Sequence, residues 1–100
     1  MKEWFHGSDR LIGVAISVGQ CVSSEKCNAL KFALRRRVGD ADCYIYKLLL
    51  VPDDVKQIKD AAGVIDHVLT RDMPYVERIL VTEELIAECK SRPAAMGLLD

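Results

Sequence analysis

The stretch that most constrains this fold is residues 43–51, which read Cys-Tyr-Ile-Tyr-Lys-Leu-Leu-Leu-Val with Lys47 as the one charged side chain. A strand with so few polar residues is typical of a central position in a sheet that is covered on both faces. Pro52 ends the strand because proline has no amide hydrogen to donate. We therefore expect neighbouring strands beside this one and helices packed around the sheet.

One face of residues 25–38 is apolar at spacings of three and four residues, which predicts an α-helix. The stripe consists of Cys27, Leu30, Leu34 and Val38. Ser23 or Ser24 can cap the N-terminus of this helix, and Gly39 is a natural stop. The three arginines at residues 35–37 are interpreted as a solvated helix end, where cations complement the helix dipole, and phosphate contact is the alternative.

The second half of the chain predicts two more helices around one more strand. Residues 55–69 follow Asp53 and Asp54 and show helical periodicity, although Gly63 weakens a helix by roughly 1 kcal/mol relative to alanine. The apolar positions are Val55, Ile58, Ala62, Ile65 and Leu69. Residues 75–81 then predict a strand, and Thr82 caps a last helix that ends at Pro93.

The remaining segments complete a pattern that is typical of an α+β fold. Residues 2–5 predict a first strand, and residues 11–16 and 21–24 are short strands or irregular segments. The predicted architecture is a small twisted sheet, mixed or antiparallel, with about three packed helices, in one domain over residues 1–100.

Composition limits the classes of binding partner and the cellular compartment that we expect for this chain. The formal net charge is −1, which gives no bulk electrostatic reason to expect nucleic acid or an anionic membrane as a partner. The N-terminus has no apolar signal region, and no apolar run approaches the length of a membrane span. The four cysteines form no C-x-x-C pair and the two histidines match no zinc spacing. We therefore expect reduced thiols in a cytoplasmic protein, in preference to disulfides or to a thiol or metal site built on Cys21 and Cys27.

Polar and aromatic residues at three places in the chain are candidates for one site. The first is Phe5-His6-Gly7-Ser8, where the histidine can hydrogen-bond near neutral pH and the glycine lets the backbone approach a ligand. The second is the pair Ser23 and Ser24, followed by Phe32 on the first helix. The third is Glu77, at the start of a late strand, for which Glu83 and Glu84 are competing positions.

In this order the three places resemble the motifs of the ADP-ribosyltransferase fold. His6, Gly7 and Ser8 match a first motif that ends the first strand with histidine, glycine and a hydroxyl residue. Ser23 and Ser24 match a hydroxyl pair before a helix of the form A-x-x-Y-A. The chain carries Ala29, Phe32 and Ala33 in that helix, with phenylalanine in place of the tyrosine, and Glu77 matches the glutamate of a late strand.

The resemblance implies an NAD-dependent enzyme, of a small bacterial or phage type, that transfers ADP-ribose to an acceptor. The acceptor would be a host protein, nucleic acid, a small molecule or water. His6, Gly7 and Ser8 would hold the ribose and the nicotinamide amide, the serine pair would assist them, and Phe32 would stack near nicotinamide. Glu77 would stabilise the ribosyl cation as nicotinamide leaves. The glycine-containing loop at residues 13–20 could close over the nucleotide.

The alternative is a non-enzymatic binding module with the same fold. The replacement of tyrosine by Phe32 and the short chain favour this alternative. In that case the apolar residues 94–99, together with the last helix, could contact a partner or form a homodimer.

Overall fold

The computed structural model describes residues 1–91, which form eight strands, two α-helices and one 3₁₀ turn. The strands are β1 (Lys2–Ser8), β2 (Ala15–Ile16), β3 (Cys21–Val22), β4 (Tyr44–Leu50), β5 (Val55–Lys59), β6 (Ile65–Leu69), β7 (Met73–Pro74) and β8 (Glu77–Leu80). The helices are α1 (Lys26–Arg36) and α2 (Glu83–Lys90), and the 3₁₀ turn is Pro52–Asp54. The predicted α+β class is confirmed.

Strand β4 lies at the centre of the main sheet, as its apolar sequence predicts. The strand order is β1-β4-β8, and both pairings are antiparallel. In one row of this sheet His6 pairs with Tyr46, which pairs with Arg78. Strands β2 and β7 form a second sheet, and β3, β6 and β5 form a third, joined to β1 by a bridge between Phe5 and Ser23. All of these pairings are antiparallel.

Two apolar cores cover the two faces of the main sheet. The core on the helix side joins β1 and β4 to both helices. Its buried members are Phe5, Cys27, Ala29, Leu30, Ile45, Leu85 and Cys89. The core on the hairpin side lies against the smaller sheets and contains Ile16, Val22, Tyr46, Leu48, Leu50 and Leu69. Because side chains alternate along a strand, Ile45 and Tyr46 enter different cores.

Helix α1 confirms the first helical prediction, with shorter ends. The helix begins after Glu25, which is the N-cap but makes no side-chain capping bond. The Ser23 hydroxyl instead accepts hydrogen bonds from the Glu25 amide and the Asn28 side chain, both at 3.1 Å. Val38 falls beyond the helix and is exposed, so it is not part of the buried stripe.

The prediction of a helix at residues 55–69 is wrong, because these residues form the antiparallel hairpin β5–β6. Asp60 holds the turn by accepting hydrogen bonds from the amides of Ala62 and Val64, both at 2.9 Å. Gly63 has a φ of +84°, a left-handed conformation that favours glycine and interrupts a helix. The part of the chain that the structure describes therefore has two helices, where about three are predicted.

The last helix confirms the predicted cap. The Thr82 hydroxyl accepts a hydrogen bond from the Leu85 amide at 3.2 Å, and Glu83 and Glu84 occupy the first turn. Pro93 and the apolar residues 94–99, predicted as a helix end and a docking patch, lie outside the described residues. Neither α1 nor α2 is long and apolar enough to cross a membrane.

A disulfide joins α1 to α2, which corrects the expectation of reduced thiols. It connects Cys27 to Cys89, whose Cα atoms are 5.5 Å apart. Cys21 and Cys43 are free thiols. Because Cys27 is in the disulfide, it is not available for the thiol or metal site considered with Cys21. Within residues 1–91 there is no cluster of three or more His, Cys, Asp or Glu side chains that could hold a metal ion.

Candidate functional site

A cavity of about 600 Å³ lies beside the C-terminal half of β1. Its lining residues come from β1, from the loop and short strand that follow it, and from the last turn of α1. They are His6, Ser8, Asp9, Arg10, Ile12, Ala15, Ile16, Ser17, Gln20 and Arg36. Two residues of the first sequence motif, His6 and Ser8, therefore line one cavity.

His6 is buried, and its tautomer is set by one hydrogen bond. Its Nδ1 lies 2.7 Å from the carbonyl oxygen of Cys21, and a carbonyl can only accept, so Nδ1 carries the hydrogen. In the neutral ring Nε2 is then a free acceptor, and no donor within residues 1–91 contacts it. Burial lowers the pKa of His6; the bond to Cys21 opposes that shift, and the charge of Arg36 adds to it. His6 is therefore neutral near pH 7 and can accept a hydrogen bond from a ligand hydroxyl.

Gly7 lies where α1 packs against the main sheet. A Cβ atom built on Gly7 would collide with the carbonyl oxygen of Ala29 and would lie 2.8 Å from the amide nitrogen of Ala33. The side of Gly7 that lacks a side chain thus faces the helix, and His6 and Ser8 project from the other face of the strand. In the structure, Gly7 therefore allows the backbone of α1 to approach the strand closely.

Ser8 begins the turn out of β1. Its hydroxyl accepts a hydrogen bond from the Arg10 amide at 3.1 Å, which bends the chain into the loop that walls the cavity. The Tyr46 hydroxyl donates to the Arg10 carbonyl at 2.6 Å and accepts from the Ile12 amide at 2.8 Å. The Tyr75 hydroxyl lies 2.9 Å from the carbonyl oxygen of Ile12.

The C-terminal end of this loop is also held by hydrogen bonds. The Asp72 carboxylate accepts a hydrogen bond from the Val18 amide at 2.7 Å, and the amide of Gly19 donates to the carbonyl of Leu69 at 2.9 Å. The short pairing of β2 with β7 lies between these two ends. The segment predicted as a closing loop at residues 13–20 is thus held to the smaller sheets as a wall of the cavity.

Ser23, Ser24 and Phe32 are absent from the lining of this cavity. Ser23 is buried, and its backbone exchanges hydrogen bonds with Phe5 at 2.7 and 2.8 Å. Ser24 is exposed, and Phe32 is half-buried on α1. The second motif therefore supports the junction of β1 with α1, and the structure does not bring its side chains to His6.

Glu77 lies on the opposite face of the main sheet from His6. It pairs in register with Lys47, next to the row that contains His6, Tyr46 and Arg78. Its carboxylate is exposed and lies 3.8 Å from the ammonium of Lys47, which also contacts Glu3 at 2.9 Å. The hydrogen bond that Lys47 donates to Glu3 raises the pKa of Lys47. Glu83 and Glu84, the competing positions, are exposed in the first turn of α2. The structure therefore does not bring the residues of all three motifs into one cleft.

Sequence reasoning missed the charged groups that do lie near His6. Asp9, Arg10 and Arg36 line the cavity, and Arg36 belongs to the basic run that reads as a solvated helix end. Outside the lining, burial raises the pKa of the Cys21 thiol, and the charge of Asp66 adds to that shift. Asp9 and Arg10 follow directly on the His-Gly-Ser motif, which is the one sequence signal that could have indicated them.

Comparison of the chain with protein-family models, curated proteins and solved structures gave no match. A function is therefore inferred from the cavity and from the two motif residues that line it, His6 and Ser8.

Proposed function

We propose that this protein binds NAD in the cavity beside β1 and is an ADP-ribosyltransferase-like enzyme. The observation that carries the proposal is the state of His6, a buried neutral histidine whose Nε2 is a free acceptor in a cavity shared with Ser8. A ribose offers hydroxyl donors to such an acceptor, and the Ser8 hydroxyl can hydrogen-bond the nicotinamide amide. A cavity of about 600 Å³ is within the range that small-molecule ligands use.

In the proposed reaction the bond between nicotinamide and ribose breaks, and nicotinamide leaves with the bonding electron pair. The positive charge that develops on the ribose is captured by a nucleophilic oxygen or nitrogen of the acceptor, which then loses a proton. A carboxylate near the ribose lowers the barrier by stabilising this charge. The acceptor is a host protein, a small molecule or water.

The carboxylate role is assigned by position. Glu77, which the motif order favours, would have to act from the opposite face of the sheet. Asp9 lines the cavity and is the one carboxylate among its lining residues. We therefore assign the charge-stabilising role to Asp9 in place of Glu77.

Nicotinamide release from NAD tests the proposal. The informative variant is His6→Asn, because the asparagine side-chain amide can still donate to the Cys21 carbonyl while the Nε2 acceptor is lost. We expect wild-type protein to release nicotinamide, and His6→Asn to do so roughly 10- to 100-fold more slowly, as for the loss of one strong hydrogen bond. Circular dichroism confirms that the variant is folded.

Two carboxylate variants complete the experiment. Asp9→Asn should slow release strongly, and Glu77→Gln should leave it unchanged. If wild-type protein releases no nicotinamide, or if Glu77→Gln is the one inactive variant, the assignment is wrong.

The second candidate is a binding module without catalysis. It is favoured by one observation, that Phe32 and Glu77 lie away from the cavity. In that case NAD at 100 times its dissociation constant would still stabilise the fold by about 2.7 kcal/mol, but no nicotinamide would appear. Thermal unfolding with and without NAD therefore measures binding, and nicotinamide release separates the enzyme from the binding module.

A further inference from the structure

Two arginine side chains from different elements line the cavity, and neither forms an ion pair within residues 1–91. Arg36 belongs to the last turn of α1, and Arg10 to the loop after β1. The ion pairs within residues 1–91 involve Lys47 and Arg71, and neither cavity arginine. Both side chains are exposed, so their guanidinium groups are available to a ligand in the cavity.

The rest of the lining favours an anionic, oxygen-rich ligand. Ser8, Ser17 and Gln20 offer hydroxyl and amide groups, and Asp9 is the one carboxylate among the lining residues. A guanidinium group presents several N–H donors in a plane and binds phosphate oxygens in pairs. The lining thus combines a histidine acceptor for sugar hydroxyls with two cations suited to phosphate.

We propose that Arg36, assisted by Arg10, binds the phosphate groups of the ligand and makes the cavity select nucleotides over nucleosides. This inference rests on the proposed function for the identity of the nucleotide, and on the cavity itself for the preference for phosphate. Arg36 is in this scheme a specificity-determining residue that anchors the end of the ligand away from the reacting bond.

The helix dipole offers a competing explanation for Arg36, since a cation is favourable in the last turn of any helix. Arg35 provides the matched control. It occupies the same last turn, is exposed, and does not line the cavity. Substituting either arginine removes the same charge from the same helix end, so only a direct contact with the ligand distinguishes them.

The experiment is isothermal titration calorimetry of the full chain with three probes: ADP-ribose, nicotinamide riboside and inorganic pyrophosphate. We expect Arg36→Gln to weaken ADP-ribose binding roughly 10- to 100-fold, as for the loss of charge-assisted hydrogen bonds. Arg35→Gln should change it less than about 2-fold, given screening of an exposed charge. Nicotinamide riboside should bind both variants as it binds the wild type, and pyrophosphate should compete with ADP-ribose.

The outcomes separate this inference from the proposed function. Equal weakening by Arg36→Gln and Arg35→Gln overturns it, as does an unchanged affinity of Arg36→Gln or a failure of pyrophosphate to compete. If ADP-ribose and pyrophosphate bind through Arg36 but no nicotinamide is released from NAD, the phosphate site stands and the transferase proposal fails. If nicotinamide is released and Arg36→Gln binds ADP-ribose normally, the transferase proposal stands and the phosphate site fails.

Discussion

Replacing Gly7 by alanine should destabilise the fold strongly, although glycine in a strand is usually a weakness. The new Cβ atom would lie 2.8 Å from the Ala33 amide nitrogen and 3.0 Å from the Ala29 carbonyl carbon, and it would collide with the Ala29 carbonyl oxygen. All three are backbone atoms, so no side chain can rotate away. Helix α1 would have to retreat from the sheet by on the order of 1 Å to restore ordinary van der Waals separation.

The cost follows from what that retreat loosens. Overpacking of a core costs about 1–3 kcal/mol, and a clash with backbone belongs at the upper end. Ala29, Leu30 and Ala33 of α1 are all at most 1% exposed, so each would lose close contacts as the helix shifts. Alanine lowers the entropy of the unfolded chain, which offsets roughly 0.4–1 kcal/mol. We expect a net loss of about 2–3 kcal/mol, equivalent to a fall in Tm of roughly 10–20 °C for a chain of this size.

Urea and thermal unfolding followed by circular dichroism measure this loss, and Gly13→Ala is the matched control. Gly13 has ordinary backbone angles, and a Cβ built on it meets nothing within 4 Å, so its substitution should leave stability within about 0.5 kcal/mol. If Gly7→Ala is as stable as Gly13→Ala and only loses NAD binding, then Gly7 serves the ligand and the packing argument is refuted.

Three further predictions concern the disulfide, the buried histidine and the cavity wall. Replacing Cys27 and Cys89 by alanine should lower the free energy of unfolding by about 4 kcal/mol, because the bond closes a loop with a sequence separation of 62. Urea titration measures this loss. A loss below about 1 kcal/mol would contradict the chain-entropy reasoning. Burial lowers the pKa of His6 below its usual value of 6.5. As the pH falls, the histidine is therefore protonated in the unfolded chain before it is protonated in the folded one. The free energy of unfolding should decline below about pH 6.5 as a result. His6→Asn should remove that part of the pH dependence, and identical pH profiles would argue against a buried neutral histidine. Tyr46→Phe should cost about 1–3 kcal/mol, because it leaves the Ile12 amide without its acceptor; hydrogen exchange at that amide should accelerate, and unchanged exchange would show that Tyr46 does not hold the wall.

The elements that sequence predicts well here are those for which only one periodicity fits. Residues 43–51 are too continuously apolar for an amphipathic helix face, and they form the central strand β4. Residues 55–69 satisfy helical spacing, but they also satisfy two short strands around a turn. Asp60 and Gly63 decide between these readings through turn hydrogen bonds and a positive φ. Local spacing carries no information about the Cys27–Cys89 bond, because it depends on how two helices pack.

The candidate site shows the same limit at the level of a single residue. Glu77 and Arg78 are neighbours in sequence, yet strand pairing puts Arg78 in the row of His6 and Glu77 on the other face. A register shift of one residue would exchange them. Which of two adjacent side chains lies on the same face of the sheet as His6 is therefore set by the tertiary register of β8 on β4. The apolar pattern of residues 75–81 does not determine it.

The alternation of β1 also links the fold to the cavity. His6 and Ser8 face the cavity, and Gly7 between them faces α1. The same helix carries Arg36 into the cavity at its last turn, so the position of that arginine depends on how closely the helix approaches Gly7. The three consecutive residues His6, Gly7 and Ser8 thus shape the cavity in two ways. His6 and Ser8 line it with their side chains, and Gly7 allows α1, which carries Arg36, to pack close to the sheet. Any substitution at Gly7 that the fold survives should therefore weaken the proposed phosphate binding at Arg36 as well as stability.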